Sequence, residues 1–348
     1  MTESYTPNQF INKINQDNPS SPTFDPLKTQ ELRQRIEDNK IQSGDILAQA
    51  EQRKQQEEAY LNSPEGKIAK AEQEIQDMKT WLLTDQTYAP EQIDFIIYGL
   101  TVEYDEDTNK AVVWGDLNLD GLTSAEGLKL PESVRVLDLS GLTSAEGLQL
   151  PESVSVLDLS GLTSAKDLQL PQSVDGSFNL SGLTSAEGLT LPESFGGFLD
   201  LSGLTSAEGL TLPESFGGSF GLSGLTSAEG LTLPESFGGS LYLGGLTSAE
   251  GLQLPENVGG DLDLRGLTSA EGLQLPENVG GDLDLASLTS AEGIQLPETV
   301  GGYLDLAGLT SVEGLQLPKN VGGDLNLRSL TGAEKQKIRE ERPGLTIL

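Results

Sequence analysis

The sequence predicts a mainly β parallel solenoid with an α-helical N-terminal region and a short C-terminal capping helix. The first observation is the heptapeptide Leu-Thr-Ser-Ala-Glu-Gly-Leu, which recurs almost unchanged from Leu122 to Leu315. A fixed period of this length is typical of solenoids, in which each winding packs against its neighbours. The second is a Leu-x-Leu alternation that accompanies each copy, and the third is a final copy that lacks its glycine.

The copies define about ten windings, here called coils, between residues 117 and 329. Successive copies are 20 residues apart for the first two steps and 21 residues apart afterwards. Each coil should carry two short strands that stack on those of the next coil. The copies begin at Leu122, Leu142, Leu162, Leu183, Leu204, Leu225, Leu246, Leu267, Leu288 and Leu309, with a broken copy at Leu330.

The region before the repeats predicts a leader and helices. Residues 1–26 are polar and are expected to form a disordered leader. Residues 27–100 are expected to be helical, with Asp45 as the cap of a helix that begins at Ile46. A second helix should begin at Pro64, since proline favours the first helical position.

The second predicted helix has a narrow apolar stripe with steps of three and four residues. Such a stripe can pair with another helix or cover the open end of the solenoid, and the second use is the one we expect. The stripe consists of Ile68, Ala71, Ile75, Met78 and Leu82.

Residues 101–116 predict a β-hairpin that joins the helices to the solenoid. Thr101–Tyr104 and Ala111–Trp114 are strand-like segments on either side of a turn-rich stretch. The second strand should continue into the first coil, so Tyr104 and Trp114 are expected to pack in the core of this N-terminal cap.

One coil, residues 259–279, illustrates the expected strands. Leu262 and Leu264 alternate with Asp261 and Asp263, so the leucines should point inward and the aspartates outward. The second strand is expected eleven residues later, at Leu273-Gln274-Leu275.

The bends of the coil also have sequence signals. Thr268 and Glu271 have the spacing of a capping pair, and Gly272 suits a left-handed exit, so this segment predicts one helical turn. On the other side, Gly280-Gly281 permits a tight return. The first coils lack the double glycine and are one residue shorter.

Residues 330–348 predict the C-terminal cap. Lys335 stands where earlier copies have the exit glycine, so the turn should continue as a helix until Pro343 ends it. Residues 345–348 then predict one more strand. Such a cap would protect the last strand edge from pairing with other chains.

The composition excludes several classes of function. The formal net charge is −33, and residues 117–327 hold 5 basic against 29 acidic residues, a net −24. This charge disfavours nucleic acid and favours a protein partner with a basic or mixed surface. Cysteine and histidine are absent, which excludes disulfides, thiol nucleophiles and histidine-based sites.

No cleavable signal peptide or membrane-spanning stretch is recognisable in the sequence. The sequence is therefore compatible with two locations: the cytoplasm, or the exterior after export without a cleavable signal peptide. A monomer is expected.

The segment Leu130–Ser144 resembles the short leucine-rich repeats of secreted bacterial effector proteins. They share a period near 20, a Leu-Pro pair and a Leu-x-Leu/Val-Ser strand followed by Leu-Thr. The resemblance implies protein–protein interaction, with export into a host as the setting in that family. The ubiquitin-ligase activity of some members does not transfer, because it requires a cysteine.

The family's asparagine after the strand, which hydrogen-bonds the loop backbone, is missing here, and Gly141 and its equivalents occupy that stretch. Threonine and serine columns are candidates to replace it. In that case the coil would be closer to a two-sheeted β-solenoid than to a horseshoe.

The expected function is a non-catalytic protein-binding scaffold. Leucines and the Thr-Ser turn barely change between copies, whereas outward strand positions vary and include aromatic residues among carboxylates, as in a recognition surface. Neutral drift at solvated positions would give the same variation. The candidate partner-binding residues are Phe198, Asp200, Tyr242, Asp263, Arg265, Asp284, Tyr303 and Asp305.

The alternative is a calcium-binding or cell-surface adhesion solenoid. Asp261 and Asp263 should lie about 4.8 Å from Asp282 and Asp284 of the next coil, and clustered carboxylates suit calcium. No other cofactor is expected. An enzyme is not favoured, because near-identical coils offer no unique set of catalytic groups.

Overall fold

The computed structural model describes residues 26–85, 87–171, 173–174, 176–192, 194–214 and 216–348. The predicted leader lies outside these residues except for Pro26. The chain divides between Ser63 and Pro64 into two units. The first contains helix α1, Pro26–Leu61, in which every side chain that the structure describes is exposed. The expected helix start at Ile46 is therefore wrong, because the good helix formers before Gly44 extend the helix.

Two helices form the N-terminal cap of the second unit. Helix α2, Pro64–Asp85, begins at the expected proline, and helix α3, Pro90–Tyr98, follows it. The apolar stripe of α2 packs on the hairpin and the first coil, with Met78 and Leu82 fully buried. The stripe therefore covers the end of the solenoid, as expected.

The hairpin consists of β1, Thr101–Asp105, and β2, Lys110–Asn118, which pair antiparallel. β2 continues into the parallel stack of the solenoid. The expectation that Trp114 is core is wrong: its side chain is 37% exposed, and the Arg135 guanidinium lies 5.0 Å from the ring centroid. Trp114 follows the inward-facing Val113, so strand alternation turns its ring outward.

The second unit is a parallel β-solenoid of about ten turns. One long sheet runs along the described stack from β1 to β19. After the hairpin, its strands are β3 (Ser133–Asp138), β4 (Ser153–Asp158), β6 (Ser177–Asn179), β8 (Phe198–Asp200), β9 (Ser219–Gly221), β11 (Leu241–Tyr242), β13 (Leu262–Asp263), β15 (Leu283–Asp284), β17 (Leu304–Asp305) and β19 (Leu325–Asn326).

The second strand of each coil is not where the sequence predicted it. Leu273–Leu275 belongs to no strand, and the strand is Asn278–Val279. These strands form a two-stranded and a five-stranded sheet. Their members are β5 (Ser173–Val174) with β7 (Ser194–Phe195), and β10 (Ser236–Phe237), β12 (Asn257–Val258), β14 (Asn278–Val279), β16 (Thr299–Val300) and β18 (Asn320–Val321).

The extra residue of the later coils explains the change from one sheet to two. In β3 and β4, a single strand of 6 residues spans the whole side of the coil. Later coils have one more residue at its middle, where most of them have the double glycine, and the strand divides there into two short strands. The side of the coil therefore becomes a corner.

The predicted helical turn is a β-turn. The Leu273 N–H donates to the Ala270 carbonyl at 3.0 Å, and Gly272 has φ +76°, as the third position of a type II turn requires. The serine, not the threonine, caps it: Ser269 Oγ accepts from the Glu271 N–H at 3.2 Å. The glycine ends the segment before a costly helical nucleus can form.

The interior contains the predicted leucines and an aromatic stack that was not predicted from the sequence. Leu262, Leu264 and Leu267 are fully buried. In the middle of the solenoid, phenylalanines replace the inward leucine or valine of other coils. They are Phe178, Phe195, Phe216, Phe220 and Phe237, each at most 3% exposed.

The C-terminal capping helix forms as the sequence predicts, whereas the strand expected at residues 345–348 is reduced to one bridge residue, Ile347. Helix α4, Gly332–Glu341, has the capping box of Thr331 and Glu334 and ends before Pro343. Leu325 and Ile347 form a single parallel bridge that extends the long sheet. Among the described residues, no helix is long and apolar enough to cross a membrane.

Candidate functional site

The outward face of the long sheet carries most of the candidate residues in two columns. The turn column contains the last strand residue of each coil: Asn118, Asp138, Asp158, Asn179, Asp200, Gly221, Tyr242, Asp263, Asp284, Asp305 and Asn326. The corner column lies two residues earlier and includes Phe198, Ser219, Ser240, Asp261, Asp282 and Tyr303.

The turn column has a structural role in most coils. In nine of the described coils, the Asp or Asn Oδ1 accepts the backbone N–H two residues later, at 2.8–3.1 Å. This side chain holds the loop after the strand. Asp200, Asp263, Asp284 and Asp305 therefore each use one oxygen for the fold.

The column changes at two adjacent coils, where Gly221 and Tyr242 replace the acceptor. The Phe198 ring leans over the glycine, since a Cβ on Gly221 would lie 3.3 Å from Phe198 Cζ. The ring centroids of Phe198 and Tyr242 are 6.1 Å apart at 82°, an edge-to-face contact. The Asp200 carboxylate lies beside them, 3.4 Å from the same Cβ position. We call Phe198, Asp200, Gly221 and Tyr242 the aromatic face.

Arg265 lies against the carboxylates that follow in the column. Its Nη2 is 2.9 Å from Asp263 Oδ2, and its Nε is 3.4 Å from Asp284 Oδ2. Arg265 is the one basic residue between Lys166 and Lys319. The guanidinium covers Asp263, which is only 8% exposed although it points outward.

Burial, with the nearby carboxylates of Asp263 and Asp305, raises the pKa of Asp284, although the Ala286 N–H and Arg265 oppose this. The folded protein therefore holds this proton more tightly than the unfolded chain does. The contribution of Asp284 to the free energy of unfolding should therefore fall as the pH rises from the pKa of this carboxyl in the unfolded chain through its raised pKa in the folded protein.

Asp284→Asn should remove this loss of stability at higher pH, because asparagine keeps the hydrogen-bond acceptor and cannot ionise. We expect a higher urea midpoint than wild type at pH 7 and no difference near pH 3. Asp200→Asn is the matched control, because it removes one negative charge from the same column beside the uncharged neighbours Asn179 and Gly221, and its gain at pH 7 should be smaller. An equal gain in both variants would contradict the assignment.

The corner column links the coils. Asp261 Oδ1 accepts the Asp282 N–H at 2.9 Å, and Asp282 Oδ1 accepts the Tyr303 N–H at 2.6 Å. Ser219 and Ser240 bind the next coil in the same way. Within the described ranges, no group of three or more acidic side chains is placed to hold a metal ion.

The structure thus brings the candidate residues together in two groups. Phe198, Asp200 and Tyr242 form the first group, and Asp263, Arg265 and Asp284 form the second. Tyr303 and Asp305 belong to a coil three windings beyond Tyr242. Gly221 completes the first group, and the sequence signal for it was its position in a column otherwise occupied by side chains.

A surface groove of about 720 Å³ lies elsewhere, between early coils. It is lined by Leu150, Pro151 and Leu170, with Lys110 and Glu152 paired at 3.4 Å on its rim. The Leu-x-Leu-Pro segment that lines it recurs in every coil but one, where Ile294 replaces the first leucine, so the groove has few distinctive residues. The residues of the aromatic face differ more from those at equivalent positions in other coils than the groove residues do.

No family model, curated protein or solved structure matches this chain. A functional proposal therefore rests on the fold and on the side-chain geometry of the outward face.

Proposed function

We propose that the protein is a non-catalytic scaffold that binds a protein partner through the outward face of its long sheet. The observation that carries the proposal is the break in the turn column, where Phe198 and Tyr242 contact each other over Gly221. In a molecule of near-identical coils, residues that depart from the repeat and that the fold does not require are the best candidates for recognition.

The chemistry of this face suits a protein interface. Phe198 and Tyr242 are only partly buried, and aromatic side chains supply much of the binding energy at interfaces. Loss of the acceptor at Gly221 and Tyr242 leaves these two loops without the side-chain hydrogen bond found in nine other coils. The change thus weakens local structure, which favours a functional reason for it.

The charge of the solenoid indicates the partner's character. A net −24 over residues 117–327 attracts a basic or mixed surface and speeds encounter with it. The aromatic face includes the Asp200 carboxylate, and Asp263 of the next coil borders it beside Tyr242. The partner should therefore present apolar and cationic groups together.

Phe198→Ala with Tyr242→Ala should abolish partner capture by the full-length protein. Each aromatic anchor typically contributes about 2 kcal/mol or more, so the pair should weaken binding by more than about 100-fold. The measurement is quantitative affinity capture from cell lysates, compared with wild type.

The matched control is Val156→Ala. Val156 is 41% exposed and lies in the corner column, as Phe198 does. This variant should retain the captured proteins. Equal capture by wild type and the double variant would contradict the proposed function.

A further inference from the structure

The aromatic face also has the chemistry of a site for one particular side chain. Resting on the proposed function, we propose that this face receives an arginine side chain of the partner protein. The guanidinium would stack on the rings of Phe198 and Tyr242 and pair with the Asp200 carboxylate.

The protein itself contains both halves of this arrangement elsewhere. Arg265 pairs with the turn-column carboxylates of Asp263 and Asp284. Arg135 lies over the exposed ring of Trp114, 5.0 Å from its centroid. Carboxylates and rings near this sheet are therefore accessible to a guanidinium in the required geometry.

At the aromatic face, the ring and the carboxylate occur together without an arginine from the chain. Asp200 Oδ1 is 2.9 Å from the Ser202 N–H, as Asp263 Oδ1 is 3.0 Å from the Arg265 N–H. Ser202 is thus the equivalent of Arg265, and its short side chain supplies no cation to the Asp200 carboxylate. No basic residue lies between Lys166 and Arg265 to supply one from a neighbouring coil.

Arginine fits this site better than lysine. Its planar guanidinium stacks on an aromatic ring and donates two parallel hydrogen bonds to a carboxylate, whereas an ammonium group is a compact, strongly hydrated charge. Charge alone would attract both residues equally to this acidic surface. A preference for arginine therefore separates a specific site from general attraction.

The probe is the capped peptide acetyl-Gly-Arg-Gly-amide, compared with its lysine and citrulline counterparts. Binding to the full-length protein is followed through the assigned ring NMR signals of Phe198 and Tyr242 at physiological ionic strength. We expect the arginine peptide to bind about threefold more tightly than the lysine peptide and about tenfold more tightly than citrulline. Equal affinities of the arginine and lysine peptides would overturn the proposal.

Variants locate the site. Asp200→Asn should weaken arginine binding about tenfold, and Asp138→Asn, which removes a turn-column carboxylate three coils earlier, should not. Ser202→Arg should block the peptide by supplying an internal arginine, whereas the control Ser140→Arg should leave binding unchanged. Equal loss in Asp200→Asn and Asp138→Asn would indicate non-specific attraction and overturn the proposal.

These results are separable from the test of the proposed function. Partner capture that depends on Phe198 and Tyr242, but is unaffected by Asp200→Asn and Ser202→Arg, would leave the scaffold in place and reject the arginine site. Loss of both the capture dependence and the arginine preference would reject the two proposals together.

Discussion

Phe216→Ala is expected to lower the free energy of unfolding by about 3–5 kcal/mol, because the substitution opens a cavity in a packed interior. Phe216 is 1% exposed and lies at the centre of the aromatic stack. Its ring is 5.3 Å from Phe195 and 5.0 Å from Phe237, at interplanar angles of 9° and 19°. The stack continues across coils, so the gap cannot be closed by a shift of one side chain.

Phe198→Ala is the matched control for this experiment. It deletes the same side chain from the outward face, where water already reaches the ring, and should lower the free energy of unfolding by less than about 1 kcal/mol. Urea denaturation followed by circular dichroism measures both variants. Similar losses in the two would mean that the inward stack does not stabilise the solenoid as described.

The aromatic stack illustrates what the sequence allows one to predict. Alternation along the strand placed Leu262 and Leu264 inside, and the same alternation places Phe220 inside. Phe220 was not among the residues expected in the core, although it occupies the strand position that corresponds to Leu262. The inward strand positions could be predicted from the two-residue period, because only one face of the strand is buried.

The position of the second strand was not predictable in this way. Leu273-Gln274-Leu275 has strand-like alternation, but the backbone bonds between coils form at Asn278–Val279. Pairing depends on how closely neighbouring backbones approach. The glycine corner sets the distance between neighbouring backbones, and this distance cannot be predicted from the local apolar periodicity.

The turn column shows how a structural residue can resemble a functional one. Asp263 and Asp284 suggested a partner or calcium site because carboxylates are chemically versatile. Asn118, Asn179 and Asn326 occupy equivalent positions in other coils. Exchange between aspartate and asparagine indicates a need for an oxygen acceptor rather than for charge, and this signal was present in the sequence.

The glycine corner gives the second large expected effect. Gly280→Ala should lower the free energy of unfolding by about 3 kcal/mol, because the new methyl group would overpack a tightly packed region. A Cβ at Gly280 would lie 2.1 Å from the carbonyl oxygen of Gly259 in the preceding coil. Because this oxygen belongs to the backbone, the clash can be relieved only if the two coils separate.

Separation of these coils would break the local hydrogen bonds between them. The Gly280 N–H donates to the Val258 carbonyl at 2.8 Å, and the Gly281 N–H donates to the Gly260 carbonyl at 2.9 Å. Hydrogen exchange at both amides should accelerate in Gly280→Ala more than exchange near the two caps. This pattern is expected because each coil is stabilised mainly by its neighbours.

Two control substitutions separate steric contact from backbone conformation. Gly332→Ala lies at the start of α4 with open space around it, and should leave stability unchanged or raise it by up to about 1 kcal/mol. Gly272 also has open space, but its φ is +76°, so Gly272→Ala should cost about 1–2 kcal/mol through strain alone. If Gly280→Ala lost no more than Gly272→Ala, contact between coils would not be what requires glycine at the corner.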